Sequence, residues 1–286
     1  IEETNETIEN DQNKYESEPN TRFLSEETKL SNSTNPWKNS NAAYFKVEEE
    51  NVPVYDNRTG SLVKIGELIK GETYPIHRDY GNWHEITYGD IKGYVLKSKT
   101  IPSKASLIKN ENKKYKTINR TITVSKQLKV YDNSGNRLKE FGKLEKGSKI
   151  KVTSDYGNWW RIIFAGRVGY IQKSEVKSQF LKSDKYFIAL DSDLAIYDNR
   201  TGKLVKVGEL IKGETYPIYR DYGNWHEIKF GSYKGYVHKD RTAPSTGSTI
   251  RNKNSKYKNT NREVKILKDT PVYDNSTGKL MEFGSI

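Results

Sequence analysis

The chain has 286 residues, a formal net charge of +12, no cysteine, and hydrophobic residues at only a third of its positions. That composition excludes disulfide frameworks, thiolate metal sites and a cysteine nucleophile, and it argues for several small cores over one large one. Twenty tyrosines and 12% aromatics argue against wholesale disorder and lean toward strands.

Residues 1–43 hold nine carboxylates (Glu2, Glu3, Glu6, Glu9, Asp11, Glu16, Glu18, Glu26, Glu27) against four basic side chains (Lys14, Arg22, Lys29, Lys38). This stretch is net −5 and leaves +17 on the remainder. It has no sustained periodicity and reads as a disordered acidic tail, with Pro36-Trp37 a stray aromatic in it. The basic remainder favours polyanionic partners: nucleic acid, an anionic membrane surface or an anionic wall polymer. No apolar run reaches the length of a membrane span. The chain opens on Ile1 without a basic-then-apolar leader, which reads as a removed signal peptide or an excised piece.

Residues 44–99 form a first predicted module, A1. Val52 to Tyr55, Leu62 to Leu68, Thr73 to Arg78, Trp83 to Tyr88 and Lys92 to Leu96 read as short strands. Turn chemistry separates them at Asp56-Asn57-Arg58-Thr59-Gly60, Lys70-Gly71, Tyr80-Gly81-Asn82 and Gly89-Asp90. A basic linker over 100–119 leads to module B1 at 120–177, which keeps Val130-Tyr131-Asp132-Asn133, Phe141-Gly142, Lys146-Gly147 and Gly169-Tyr170. Module A2, at 186–242, nearly copies A1: Tyr55–Val95 and Tyr197–Val237 differ at seven positions. A second basic linker (243–260) precedes a truncated module B2 at 261–286, expected to be poorly ordered or completed beyond Ile286. Tyr197 follows Tyr55, and Tyr273 follows Tyr131, by the same 142 residues, so an A-B unit is duplicated.

The stretch Asp79-Tyr80-Gly81-Asn82-Trp83 recurs as Asp155-Tyr156-Gly157-Asn158-Trp159 and Asp221-Tyr222-Gly223-Asn224-Trp225. In a strand, Trp83 and Glu85 share one face while His84 and Ile86 share the other. Ile86, Ile162 and Ile228 are therefore core candidates, and the tryptophans fall on the opposite, more exposed face. There they either stack on a sugar or peptide or lie half-buried over the barrel. Tyr80, Tyr156 and Tyr222, with Tyr94, Tyr170 and Tyr236, are aromatic at matched positions. With Trp83, Trp159 and Trp225 they are the candidate ligand-binding residues.

Gly142-Lys143-Leu144-Glu145-Lys146-Gly147, Gly157-Asn158-Trp159 and Gly169-Tyr170-Ile171 together resemble the bacterial SH3-like domain. A Gly-Tyr pair stands where the related GW modules of wall-bound autolysins carry Gly-Trp. The resemblance covers most of 44–243 and a fragment at 261–286. It implies an all-β chain of tandem small SH3-like barrels joined by linkers, which binds cell-wall peptidoglycan or teichoic acid. It also implies secretion or wall association in a Gram-positive-type cell; the absence of cysteine fits an exported protein of that kind and many cytosolic proteins as well.

No catalytic constellation emerges. His84 and His226 match between copies, but Trp160 takes that place in B1, and the only sequence neighbours, Glu85 and Glu227, point the other way. One Asp-Asn pair at Asp56, Asp198 or Asp274 is too few oxygens for calcium and reads as a hairpin turn. The expectation is a monomeric, non-catalytic, multivalent wall binder without metal or cofactor. Two alternatives are part of a peptidoglycan hydrolase whose catalytic domain lies outside residues 1–286, and a basic nucleic-acid-binding protein.

Overall fold

The computed structural model describes residues 35–104, 116–176, 180–247, 262–275 and 278–286. The predicted acidic tail up to residue 34, and most of both basic linkers, lie outside them. Among the described residues the regular elements are strands, apart from three single-turn 3-10 helices.

Module A1 contributes β1 (Tyr44–Val47), β2 (Val52–Asp56), β3 (Val63–Leu68), β4 (Thr73–Pro75), β5 (Arg78–Tyr80), β6 (Trp83–Tyr88), β7 (Ile91–Leu96) and β8 (Thr100–Ser103). Module B1 contributes β9 (Lys116–Thr123), β10 (Leu128–Asp132), β11 (Lys139–Leu144), β12 (Lys149–Tyr156), β13 (Trp159–Phe164) and β14 (Arg167–Gln172). β8 and the start of β9 lie in the stretch read as a linker.

A proline explains the difference in strand count. Pro75 has no N–H to continue a ladder, so β4 ends there and β5 starts afresh on another sheet. The matching residue in B1 is Lys151, and β12 runs through both positions with a bulge between Val152 and Ser154. Pro217 repeats the break in module A2, between β18 (Thr215–Pro217) and β19 (Arg220–Tyr222).

In A1 a three-stranded sheet, β4-β1-β8, faces the β5-β6-β7-β2-β3 ladder. Phe45 on β1 stacks on His84 on β6 at 4.7 Å across that core. Trp37, expected as a stray tail aromatic, belongs to the same core. It is 8% exposed, its indole donates to the Thr100 carbonyl at 3.1 Å, and its ring meets His84 edge-on at 4.3 Å. Phe180 covers His226 in the same way in A2.

The ladders do not close into separate barrels. The outer strand of A1, β3, pairs antiparallel with β11 of B1, giving one eleven-stranded sheet across both modules. The register is two-fold symmetric in kind: Gly66 opposes Leu144, Leu68 opposes Gly142, and Glu67 opposes Lys143 at the centre. Farther out, Gly166 N–H donates to the Thr87 carbonyl and Gly89 N–H to that of Ile163, both at 2.7 Å. Unpaired strand edges are costly, and each module satisfies the other's. A single core then runs through both, from Phe45 and Ile86 to Phe141, Trp160 and Phe164. The picture of independent beads on flexible linkers therefore gives way to a fused A-B unit.

The second unit repeats this. β17 (Val205–Leu210) pairs with β24 (Met281–Ser285), which also pairs with β23 (Pro271–Asp274), so the described part of B2 is docked on A2. The Tyr216 hydroxyl donates to the Phe283 carbonyl, as Tyr74 does to that of Phe141.

The close β3–β11 approach requires glycine. A Cβ on Gly66 would lie 2.7 Å from the Lys143 carbonyl oxygen, a backbone atom with little room to retreat. Gly66→Ala is expected to cost about 1–3 kcal/mol through this overpacking. A urea melt of the purified chain checks it, and an unchanged midpoint would show that the contact relaxes freely.

Candidate functional site

The matched aromatics gather on the sheet face that looks away from the core, as the period-two reading places them. In A1, Trp83 and Tyr94 form a second small cluster with Tyr55, Leu62, Tyr80 and Leu96. Tyr55 meets Trp83 edge-on at 5.9 Å, and the Arg78 guanidinium lies 5.8 Å from the Tyr80 ring. The expected exposure fails here: Trp83 is fully buried and Tyr94 is 3% exposed, because Leu62 from the β2–β3 turn packs over them.

In B1 the same positions are open. Tyr131 meets Trp159 edge-on at 5.7 Å, but Leu138, the counterpart of Leu62, is 54% exposed. A cleft of about 320 Å³ results, lined by Asn133, Asn136, Arg137, Leu138, Tyr156, Trp159 and Tyr170. All three predicted B1 residues are therefore brought together. Tyr170 forms its buried floor, Trp159 a half-buried wall and Tyr156 an exposed one.

A2 keeps the arrangement and is also open. Tyr197 meets Trp225 at 5.7 Å, Trp225 and Tyr236 are half-buried, and Tyr222 and Leu204 are exposed. β20 (Trp225–Phe230) carries Trp225 and β21 (Tyr233–His238) carries Tyr236.

Sequence reasoning missed the contribution of Tyr55, Tyr131 and Tyr197, and of the turn that follows each. The signal was present, since Tyr-Asp-Asn recurs in each copy, but it reads as hairpin chemistry alone. That hairpin role is real: Asp56 accepts the Arg58 N–H at 3.0 Å and Asp198 that of Arg200 at 2.9 Å, so both carboxylates are committed to their turns.

The histidines have partners that the sequence does not reveal. His84 Nδ1 lies 2.7 Å from Asp79 Oδ1, and its Nε2 lies 3.0 Å from the Thr100 hydroxyl. His226 repeats this with Asp221 at 2.9 Å and Thr242 at 3.1 Å. Both imidazoles are fully buried under Trp37 or Phe180. Burial outweighs the neighbouring aspartate and lowers each to about 4, so they are neutral near pH 7, with the Nδ1 proton on the aspartate side. They are core hydrogen-bonding groups without open access to a ligand. Among the described residues no three His, Asp or Glu side chains are grouped to hold a metal ion.

No family model matches the chain, and no curated protein does. A solved structure, that of NlpC1 from Trichomonas vaginalis, is similar over 71% of this chain and 94% of its own at 7% identity. The TM-score is 0.18, and the likeness carries no argument about function.

Proposed function

We propose that this chain is a non-catalytic, multivalent binder of bacterial cell-wall glycopolymer, built from SH3-like modules and working outside the cell. The observation that carries the reading is the B1 cleft. Its Trp159 and Tyr156 rings suit the apolar face of a sugar or peptide, and Asn133, Asn136 and Arg137 supply hydrogen-bonding groups around them. Its size sits at the small end of ligand sites, which run from about 300 to 1,000 Å³. The recurrence of the ring pattern in each module suits a polymer that presents one epitope many times. The two open faces, B1 and A2, lie in one chain, so a second contact with the polymer is intramolecular once the first has formed. Among the described residues no helix is long and apolar enough to cross a membrane.

Sedimentation with purified Gram-positive sacculi, with and without teichoic acid, tests the reading. The chain is expected in the pellet, and absence from both pellets sinks the proposal. Trp159→Ala and Tyr156→Ala should each weaken sedimentation, Trp159→Ala by some 30-fold or more, the scale of a tryptophan anchor. Trp83→Ala should leave binding intact while lowering stability by about 3–5 kcal/mol, since Trp83 is sealed beneath Leu62. A zymogram of the chain alone is expected to be blank.

A further inference from the structure

One position beneath the aromatic cluster changes sign between modules. In A1 it is Glu85, which faces Tyr94 across β6–β7, is 1% exposed, and accepts the Tyr94 hydroxyl at 3.3 Å. Arg78 lies 3.2 Å and Lys92 3.3 Å from that carboxylate. In A2 it is Glu227, which faces Tyr236 and lies 3.2 Å from Lys234. In B1 it is Arg161, which faces Tyr170 and shares the strand face of Trp159.

Arg161 Nη1 donates to the Thr153 hydroxyl at 2.8 Å, and among the described residues no carboxylate pairs with it. Arg137, on the rim of the same cleft, has no carboxylate partner among the described residues either. Two nearby acids are already neutralised. Asp132 is held by Arg167 at 2.6 Å, and Glu140, opposite Tyr131, is held by Lys129 at 3.0 Å. The B1 cleft thus carries one guanidinium, Arg137, on its lining, with a second, Arg161, on the strand face beside it and opposite its floor residue Tyr170, whereas each A face carries a buried carboxylate.

We propose that the B1 cleft selects a ligand bearing an anionic group, a carboxylate or a phosphate, and that the A2 face rejects the same ligand. Guanidinium forks match both anions, and the aromatic wall takes the carbon skeleton that carries the charge. At the matching place A2 holds Glu227, already paired with Lys234, so that face offers such a group no guanidinium fork there and is left for neutral moieties. This rests on the wall-binding reading, because a lactyl carboxylate or a polyol phosphate is the anion such a polymer would present.

The test follows indole N–H signals of the full chain by NMR, with Trp159 reporting B1 and Trp225 reporting A2. The probes are N-acetylmuramic acid for the carboxylate, glycerol 3-phosphate for the phosphate, and N-acetylglucosamine as the neutral ring. At least one anionic probe is expected to shift Trp159 at a concentration about tenfold below that needed for N-acetylglucosamine, and to leave Trp225 unmoved. Which anion does so identifies the source. Arg137→Gln, a surface change that leaves folding intact, and Arg137→Gln with Arg161→Gln should weaken the anionic probe about tenfold or more and leave the neutral one unchanged. Equal response to charged and neutral rings, equal shifts at Trp225, no shift at Trp159, or indifference to both variants overturns the proposal. Sacculus binding that persists alongside any of those results leaves the wall-binding reading standing. Anion binding at Trp159 without sacculus binding removes that reading and keeps the anion site.

Discussion

Arg167→Ala is expected to destabilise the A1–B1 unit by about 3–5 kcal/mol. Arg167 is 5% exposed and bridges both modules. Its Nη1 donates to Glu72 of A1 at 2.8 Å and to the Thr73 carbonyl at 3.1 Å, while Nη2 donates to Asp132 of B1 at 2.6 Å. Its guanidinium carbon lies 4.0 Å from the centre of the Phe141 ring. Burial raises the Glu72 carboxyl, but Arg167 and Lys139 outweigh it and hold the group below its ordinary range. Burial likewise raises that of Asp132, and bonds from Ser134 and Arg167 reverse the sign. Removing the arginine leaves buried Asp132 without a cationic partner and Glu72 with only the exposed Lys139, and an uncompensated buried charge is what makes broken pairs of this kind expensive. Chemical denaturation of the purified chain measures the loss. Replacing Arg167, Glu72 and Asp132 together by apolar residues should recover much of it, since no charge is then left unpaired. A single-site loss under 1 kcal/mol would show that water reaches the cluster and screens it.

The second large effect is on pH. His84 and His226 titrate at 6.5 when unfolded and at about 4 when buried. Between those values the unfolded chain binds a proton that the folded chain refuses. Stability of each A module therefore rises with pH across this window and falls as acid is added, by on the order of 3 kcal/mol per histidine from pH 7 to pH 4. The groups facing His84 are Asp79, with Lys97 at 3.3 Å from that carboxylate, and the Thr100 hydroxyl; Asp221, Lys239 and Thr242 repeat them. Urea melts at several pH values, for the parent chain and for a His84→Asn/His226→Asn double variant, separate this contribution from other acid effects. The double variant should show a flatter profile between pH 4 and 6.5. An equally steep one would place the acid sensitivity on carboxylates instead.

Module B1 solves the same position differently, and the comparison shows what that place demands. Trp160 stands where the histidines stand, and Lys173 is drawn fully inside to bond Asp155 at 2.9 Å. The same ammonium donates to the Pro244 carbonyl at 3.0 Å, on β22 (Thr242–Ser245) of A2. Burial pushes Lys173 down and Asp155 up, so each depends on the other to remain charged. The contact also ties the first A-B unit to the second.

Much of the architecture is legible in the residues. Turn residues between alternating runs locate the strands, and the 142-residue spacing identifies the A-B unit. The alternation places Trp83, Trp159 and Trp225 on one face and Ile86, Ile162 and Ile228 on the other. The nine predicted site residues do fall on that one face. Their exposure was not legible, because Leu62 and Leu204 follow turns that differ only at Ser61/Lys203, yet Leu62 is half-buried over its rings and Leu204 is exposed. The Asp-His-Thr bonds were missed for a related reason: Thr100 lies sixteen residues from His84 and meets it only when β8 crosses beside β1.

The sequence by itself therefore determined local geometry: which segments are strands and which face each side chain takes, although the run read as one strand over Thr73 to Arg78 is broken after Pro75. These follow from φ, ψ and the period of two, which are properties of neighbouring residues. Only the tertiary structure decided that β3 pairs with β11, that one core spans two modules, and that the B1 face opens while the A1 face is sealed. Edge pairing uses N–H and C=O groups that every residue but proline carries, so composition does not name the partner of an edge. Packing supplies that choice, through Gly66 and Gly142 letting two backbones meet and through Arg167 joining carboxylates that lie far apart in the chain.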